Sequence, residues 1–241
     1  MKTNQRKVLV IDNNGPGARS ADVVVFPISY FRKNDYWNAY TGRLITGPEY
    51  VILGSGFWND PLENGFPGKK VLVTCGGSDP HGLTLRLLGS LKDLDPGLDL
   101  LSVVLGPNYT DVEGTEEILG EFPYPTVILK GTTDLAPVMA ETSVAVATFG
   151  ITLYELARMG VPVLFFYPPD EAENALLLKE QGMGIPLGPI GSFEPGPIRE
   201  TLQNLLEDRA QWSAIRDSGR RLVDGRGAHR VAETILSLVV G

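Results

Sequence analysis

The chain has 241 residues, 43% hydrophobic and 21% charged, with a formal net charge of -8 and one cysteine. The apolar share excludes global disorder, and the single cysteine excludes an intramolecular disulfide. The acidic balance argues against non-specific nucleic-acid binding, which needs basic surface to displace counterions. Such a length accommodates one large domain, or a domain with a substantial appendage.

Met1 to Lys7 leads into too short an apolar run for a signal peptide, and no later run approaches the length of a membrane span. A cytoplasmic location is expected. Val8–Ile11 and Val23–Phe26 read as short buried strands, and Tyr50–Leu53 as a third. Turn formers Asn13 to Gly17 lie between the first two, and the aromatic, polar segment from Tyr30 to Tyr40 receives no assignment. The Gly65 to Lys70 stretch, with Pro67 and Gly68, is the linker candidate, dividing the chain into residues 1–69 and 70–241.

From Val71 the pattern becomes regular. Strands are expected at Val71–Thr74, Leu101–Leu105, Thr126–Leu129, Val144–Ala147 and Val163–Phe166, with a last short one at Gly184–Leu187. Helices are expected between them at Leu83–Leu94, Val112–Gly120, Leu135–Glu141, Thr152–Met159 and Ala172–Gln181. Three amphipathic helices, Pro197–Glu207, Ala210–Val223 and Gly227–Val240, close the chain. Apolar strands joined by helical crossovers specify an α/β fold with a doubly wound parallel sheet. Ligands bind such sheets beyond the carboxyl ends of the strands. Three elements lie there: Gly76-Gly77-Ser78-Asp79, Phe149-Gly150-Ile151-Thr152 and Asp170 to Asn174.

Phe149 to Glu155 runs from an apolar strand through a glycine turn into a helix. The helix N-terminus offers unpaired N–H groups and a partial positive charge, which suits an anion. Glu155 sits about one and a half turns in, where a carboxylate suits ribose hydroxyls rather than phosphate. The alternative is a solvated helix-face carboxylate. Gly76 and Gly77 permit close backbone approach to a diphosphate, with Ser78 as a donor. The alternative there is a tight turn in which Ser78 or Asp79 caps the helix. Glu173 either faces a ligand or complements its helix dipole, and Asn174 is either a ligand contact or a surface amide. Cys75 reads as a small buried hydrophobe or as a nucleophile. His81 is a ligand contact or a solvated helix-terminal residue, and it forms no metal pair with the distant His229. Arg220, Arg221 and Arg226 around Asp224-Gly225 read as a salt-bridged turn.

In order, Val73 to Pro80, Phe149 to Glu155, Gly160-Val161-Pro162, Glu173-Asn174 and Asp224 to Ala228 resemble the C-terminal half of GT-B nucleotide-sugar enzymes. The likeness is to the PseG/SpsG branch, the UDP-sugar hydrolase of pseudaminic acid synthesis and the spore-coat polysaccharide proteins; MurG-type glycosyltransferases are more distant. Val10 to Asp12 and Gly47 to Leu53 look like the last elements of that family's N-terminal domain. The resemblance implies a GT-B C-terminal Rossmann-like doubly wound parallel sheet, preceded by a partial remnant of the N-terminal Rossmann-like domain. It implies a UDP site on this half; no cofactor is expected, and the residues themselves offer no metal pair. Glu155 would hold ribose; Gly77, Ser78, Gly150, Ile151 and Thr152 would approach the diphosphate, with Gly76 and Phe149 also in the UDP site. The backbone at Leu129 and Lys130 would read the base, and Glu173 and Asn174 would face the sugar.

The family's Gly-x-Gly-His motif, which carries the catalytic base of the hydrolase, has no counterpart in this sequence. No catalytic residue is therefore assigned. The expectation is the UDP-sugar-binding half of a glycosyltransferase or hydrolase in cell-surface glycan or nonulosonic acid biosynthesis, completed by a complementary N-terminal GT-B subunit. The alternatives are a non-catalytic nucleotide-sugar-binding or assembly protein and a truncated PseG/SpsG-like enzyme.

Overall fold

The structure, a computed structural model, describes residues 6–13, 15–27, 37, 39–61, 66–92, 94 and 97–240. Asn14, Gly65 and most of the Tyr30 to Tyr40 segment lie outside the described residues.

Two parallel sheets organise the chain. The smaller has the order β1-β2-β3, formed by Leu9–Ile11, Val23–Phe26 and Arg43–Thr46. The first two strands fall on the apolar runs in the sequence, but only Val23–Phe26 is buried as expected: Leu9 and Val10 are half-buried, and Val8 and Ile11 are exposed. The third expected strand does not form: Tyr50 ends a 3-10 turn, Pro48–Tyr50, and residues 51–54 carry no ladder. Alternation at Val51-Ile52-Leu53 nevertheless reports burial correctly. Val51 and Leu53 are buried and Ile52 is exposed, but the two inward side chains join Phe57 in the core of the larger sheet. The actual third strand opens on Arg43 and has only two apolar residues, a weak signal for a strand whose partner is a buried Val23–Phe26.

The larger sheet has six strands in the order β6-β5-β4-β7-β8-β9. They are β4 (Lys70–Thr74), β5 (Leu100–Leu105), β6 (Thr126–Lys130), β7 (Val144–Thr148), β8 (Val163–Tyr167) and β9 (Ile185–Pro189). All neighbouring pairs are parallel. Strand order reverses between β4 and β7, so the crevice beyond their carboxyl ends is the topological switch point.

Side chains alternate between two cores, as the period of two in a strand requires. Val71, Val73 and Cys75 point to one face, with Leu101, Val103 and Val146, beneath α1 (Leu83–Leu91), α6 (Pro195–Glu207) and α7 (Arg209–Leu222). Leu72, Ala145 and Phe165 point to the other, beneath α3 (Ala136–Ala140), α4 (Ile151–Met159) and α5 (Ala172–Glu180). Helix α2 (Val112–Gly120) begins where Asp111 accepts from Gly114 N, which is why its expected limits match.

Two stretches of chain cross between the sheets. Residues 47–60 leave β3 and run along α4, where the buried guanidinium of Arg158 donates to Phe57 O (2.9 Å) and Asp60 (2.9 Å). The return is the turn before α8 (Gly227–Val240), whose Val231 packs on Val23, Val25 and Ile45 of the small sheet. Arg230 ties this turn together, donating to Glu49 O (2.8 Å) and, through both terminal nitrogens, to Asp224. A salt bridge does form at Asp224, but to Arg230 rather than to the arginines singled out in the sequence: Arg220 donates to Met159 O, Arg221 to Ser218, and Arg226 offers Asp224 its backbone N–H.

Candidate functional site

Four loops surround the switch point. After β4 comes Gly76 to Gly82; after β5, Gly106-Pro107; after β6, Gly131 to Leu135; after β7, Phe149-Gly150 and the first turn of α4. Between them lies a cavity of about 220 Å³ lined by Gly76, Gly77, Gly106, Thr132, Thr133 and Thr152 among others. None of its lining residues carries a charge. The donors such a lining can offer an anion are backbone N–H groups and the hydroxyls of Thr74, Thr132, Thr133 and Thr152.

The β4 loop owes its shape to Gly106. A side chain there would place its Cβ 2.4 Å from both Gly76 O and Gly77 O, so both carbonyls point at the β5 loop. Asn108 N donates to Gly77 O at 2.9 Å. In a trans peptide the N–H points opposite to the C=O. The amide protons of Gly77 and Ser78 therefore point away from the β5 loop. Gly76 has φ 84, a left-handed value that favours glycine.

Gly77 differs. Its φ is not positive, and a Cβ built on it meets nothing within 4 Å. Neither backbone conformation nor packing within the chain calls for glycine at that position.

Asp79 resolves one of the alternatives left by the sequence. Its two carboxylate oxygens accept from Leu83 N (2.9 Å) and Thr84 N (2.7 Å), so it caps α1. Ser78 stays exposed in the turn. Helix α4 begins at Gly150, which has no side chain with which to cap it. Ile151 is an exposed apolar residue beside that end, and Thr152 lines the cavity. Phe149 is half-buried against Phe165, and its N–H donates to Phe166 O at 2.7 Å.

Glu155 is half-buried on α4. Burial pushes its carboxyl above the ordinary value, the hydrogen bond from Thr152 works against that, and the negative charge of Asp134 adds to the rise. Asp134, whose Oδ1 accepts from Ala136 N at 3.0 Å, lies in the β6 loop between cavity-lining Thr133 and Leu135. The structure thus places Glu155 near the cavity loops rather than in open solvent.

Leu129 and Lys130 end β6 just before the cavity wall, which Gly131, Thr132 and Thr133 form. Leu129 packs on the second core, and Lys130 pairs with Glu116. Glu173 is exposed on α5, while the Asn174 amide donates to Glu171 at 2.6 Å. Cys75 is buried in the first core, and burial followed by the charge of Asp79 pushes its thiol up to about 12, so it is inert at neutral pH. His81 is exposed in the β4 loop. Sequence reasoning passed over Gly106-Pro107 and Gly131 to Thr133. Both glycine-led loops directly follow an apolar strand, and the carboxyl-end rule could have found them.

Among the described residues no helix is long and apolar enough to cross a membrane, and no group of three or more acidic, histidine or cysteine side chains is placed to hold a metal ion.

No protein-family profile matches the chain. It is similar to the spore coat polysaccharide biosynthesis protein SpsG of Bacillus subtilis (strain 168), at 28% identity over 98% of this chain and 71% of that protein. Among solved structures, Acinetobacter baumannii MurG superimposes with a TM-score of 0.69 and 19% identity, covering 96% of this chain and 67% of that one. Anabaena Alr3699/HepE, solved in complex with UDP-glucose, superimposes with a TM-score of 0.59 and 16% identity over 96% of this chain and 72% of that one. The fold is that of GT-B glycosyltransferases.

Proposed function

We propose that the chain binds a UDP-sugar at the carboxyl ends of β4 and β7 and serves glycan biosynthesis as part of a glycosyltransferase or UDP-sugar hydrolase. Gly77 carries this reading. Its missing side chain opens onto free space, its neighbouring amide protons turn away from the β5 loop, and it lines the same cavity as Thr152 in the first turn of α4. A ligand that needs backbone contact explains a glycine that the chain itself does not need.

In this reading the diphosphate lies between the Gly77 and Ser78 amides and the first turn of α4. Glu155 accepts from the ribose hydroxyls, and the Gly131 to Thr133 loop, continuing from Leu129 and Lys130, borders the base. The sugar extends toward Ile151 and toward Glu173 and Asn174 on α5. As the bond from the anomeric carbon to the β-phosphate oxygen breaks, negative charge accumulates on the departing UDP. Preorganised N–H donors and the α4 dipole stabilise that charge. The base that activates an acceptor or water is assigned to none of these residues. Spore-coat polysaccharide and nonulosonic acid synthesis are the settings that the similarity to SpsG favours.

Calorimetric titration with UDP tests the site. Binding is expected, and Glu155→Ala should weaken it by about 1–3 kcal/mol, the scale of hydrogen bonds to a charged group. Unchanged affinity in that variant removes Glu155 from the site. A second reading, nucleotide-sugar binding without turnover, is favoured by the uncharged cavity lining. It predicts UDP binding with no release of UDP from any UDP-sugar.

A further inference from the structure

The larger sheet ends on β6 at one side and β9 at the other, and the chain treats these edges oppositely. Strand β9 carries Pro186, Gly188 and Pro189 and shifts register against Phe165 and Phe166, features that blunt an edge against further pairing. Strand β6, Thr126-Val127-Ile128-Leu129-Lys130, has no proline, glycine or bulge. Leu101 N donates to Pro125 O, so in this parallel ladder Pro125, Val127 and Leu129 turn their backbone groups to β5. Thr126, Ile128 and Lys130 turn theirs to the open edge. The adjoining face is thinly covered as well. Val127 is 38% exposed, and the five-residue α3 leaves a cavity of about 270 Å³ lined by Leu100, Ser102, Val127, Leu129 and Val138 among others. A parallel sheet is ordinarily covered on both faces.

We infer that β6 pairs with β6 of a second copy of this chain, antiparallel about a twofold axis through Ile128. That register is self-complementary. Ile128 exchanges both backbone hydrogen bonds with its counterpart, and Thr126 exchanges both with Lys130 of the second copy, so every outward group is used. Val127 of each copy falls opposite Leu129 of the other in the closely spaced pairs. A twofold axis normal to the sheet keeps these side chains on one face, so the two thinly covered surfaces become continuous. Charge favours the same occupant. The chain carries a net charge of -8, so two copies repel wherever acidic surface meets acidic surface. At this edge each lysine already has its carboxylate: Lys130 pairs with Glu116, and Lys70, on the cavity wall, with Glu141. A strongly acidic or basic partner finds no net charge to read there. Lys130 meets Thr126 of the second copy, so no like charges face each other along the paired strands.

Analytical ultracentrifugation of the full chain over a micromolar concentration series tests this, and a reversible dimer is expected. Thr126→Pro removes an outward N–H at a position where an edge strand accepts proline, and Val127→Lys puts a charge on the exposed face. Each should weaken dimerisation about tenfold or more while the far-ultraviolet circular dichroism stays that of the wild type. Ile128→Cys reads the register, because residues in a hydrogen-bonded antiparallel pair stand about 5.5 Å apart at Cα, within reach of a disulfide. Oxidised glutathione should link two such chains. It should not link the wild-type chain, whose one cysteine is buried. A wild-type chain that stays monomeric overturns the inference. So does a folded Thr126→Pro or Val127→Lys chain that dimerises like wild type, and so does a dimer that Ile128→Cys fails to link.

Discussion

Gly106→Ala separates the architecture of the β4 loop from its chemistry. Its φ lies outside the left-handed region, so alanine adopts the backbone without strain. The added Cβ lies 2.4 Å from Gly76 O, 2.4 Å from Gly77 O and 2.5 Å from Gly77 Cα, against 3.4 Å for ordinary contact. All three are backbone atoms, so no side chain can swing aside, and the loop must retreat by about 1 Å, a displacement characteristic of overpacking. Overpacking of this kind costs about 1–3 kcal/mol. The Asn108 N to Gly77 O bond must stretch as well. If the Gly77 and Ser78 amides hold a diphosphate, the same shift removes at least one charged hydrogen bond, about 1.5–3 kcal/mol, or roughly 10- to 150-fold in affinity. Thermal melting and calorimetric titration with UDP should therefore both respond. Gly77→Ala is the control: its Cβ meets nothing, so the melting temperature should hold while UDP affinity falls. A Gly106→Ala chain that melts and binds like wild type refutes the reasoning.

Glu155→Gln should do the opposite to stability. The Glu155 carboxyl lies above its ordinary value, first because of burial and then because of Asp134, so the folded chain holds that proton more tightly than the unfolded chain. Stability gains as pH falls through that raised value, and at neutral pH the ionised group is a liability; the glutamine variant should melt higher at pH 7 while binding UDP less well. The Asp224–Arg230 pair has the reverse sign. Its hydrogen bonds to Arg230 hold the Asp224 carboxyl down at about 2 from an ordinary 3.8, so its stabilisation is complete above 3.8 and disappears as pH falls through about 2. Both side chains are about one-third exposed, so losing the ion pair in Arg230→Met should cost no more than about 1 kcal/mol in urea melts at pH 7; that part of the difference from wild type should disappear below about pH 2, leaving only what the bond to Glu49 O contributes.

Most of the larger sheet was legible because its strands are continuous apolar runs and its helices end on chemistry visible in the sequence. Asp111 marks the start of α2, and Gly160, with φ 73, terminates α4. What escaped depends on partners distant in sequence. Arg43–Thr46 is a strand because Val23–Phe26 lies beside it, not because of its own pattern. Val51 and Leu53 look like strand residues but are buried against the other sheet. At the site, the Phe149 to Glu155 run and the Gly76 to Ser78 turn could be read directly, since a strand leads into each. The contact between Gly106 and the β4 loop could not, because no local spacing reports the approach of two loops from neighbouring strands. Nor did the sequence distinguish Ser78 from Asp79 as the helix cap; that required the two hydrogen bonds from α1 to Asp79.

The proposed site puts the nucleotide at the N-terminus of α4, not at the Asp79-capped N-terminus of α1. A crystal structure of the chain with UDP tests it most directly. Diphosphate density is expected between the Gly77 and Ser78 amides and the first turn of α4, with the ribose hydroxyls on Glu155. Diphosphate at the Leu83 and Thr84 amides, with Asp79 displaced, would contradict it.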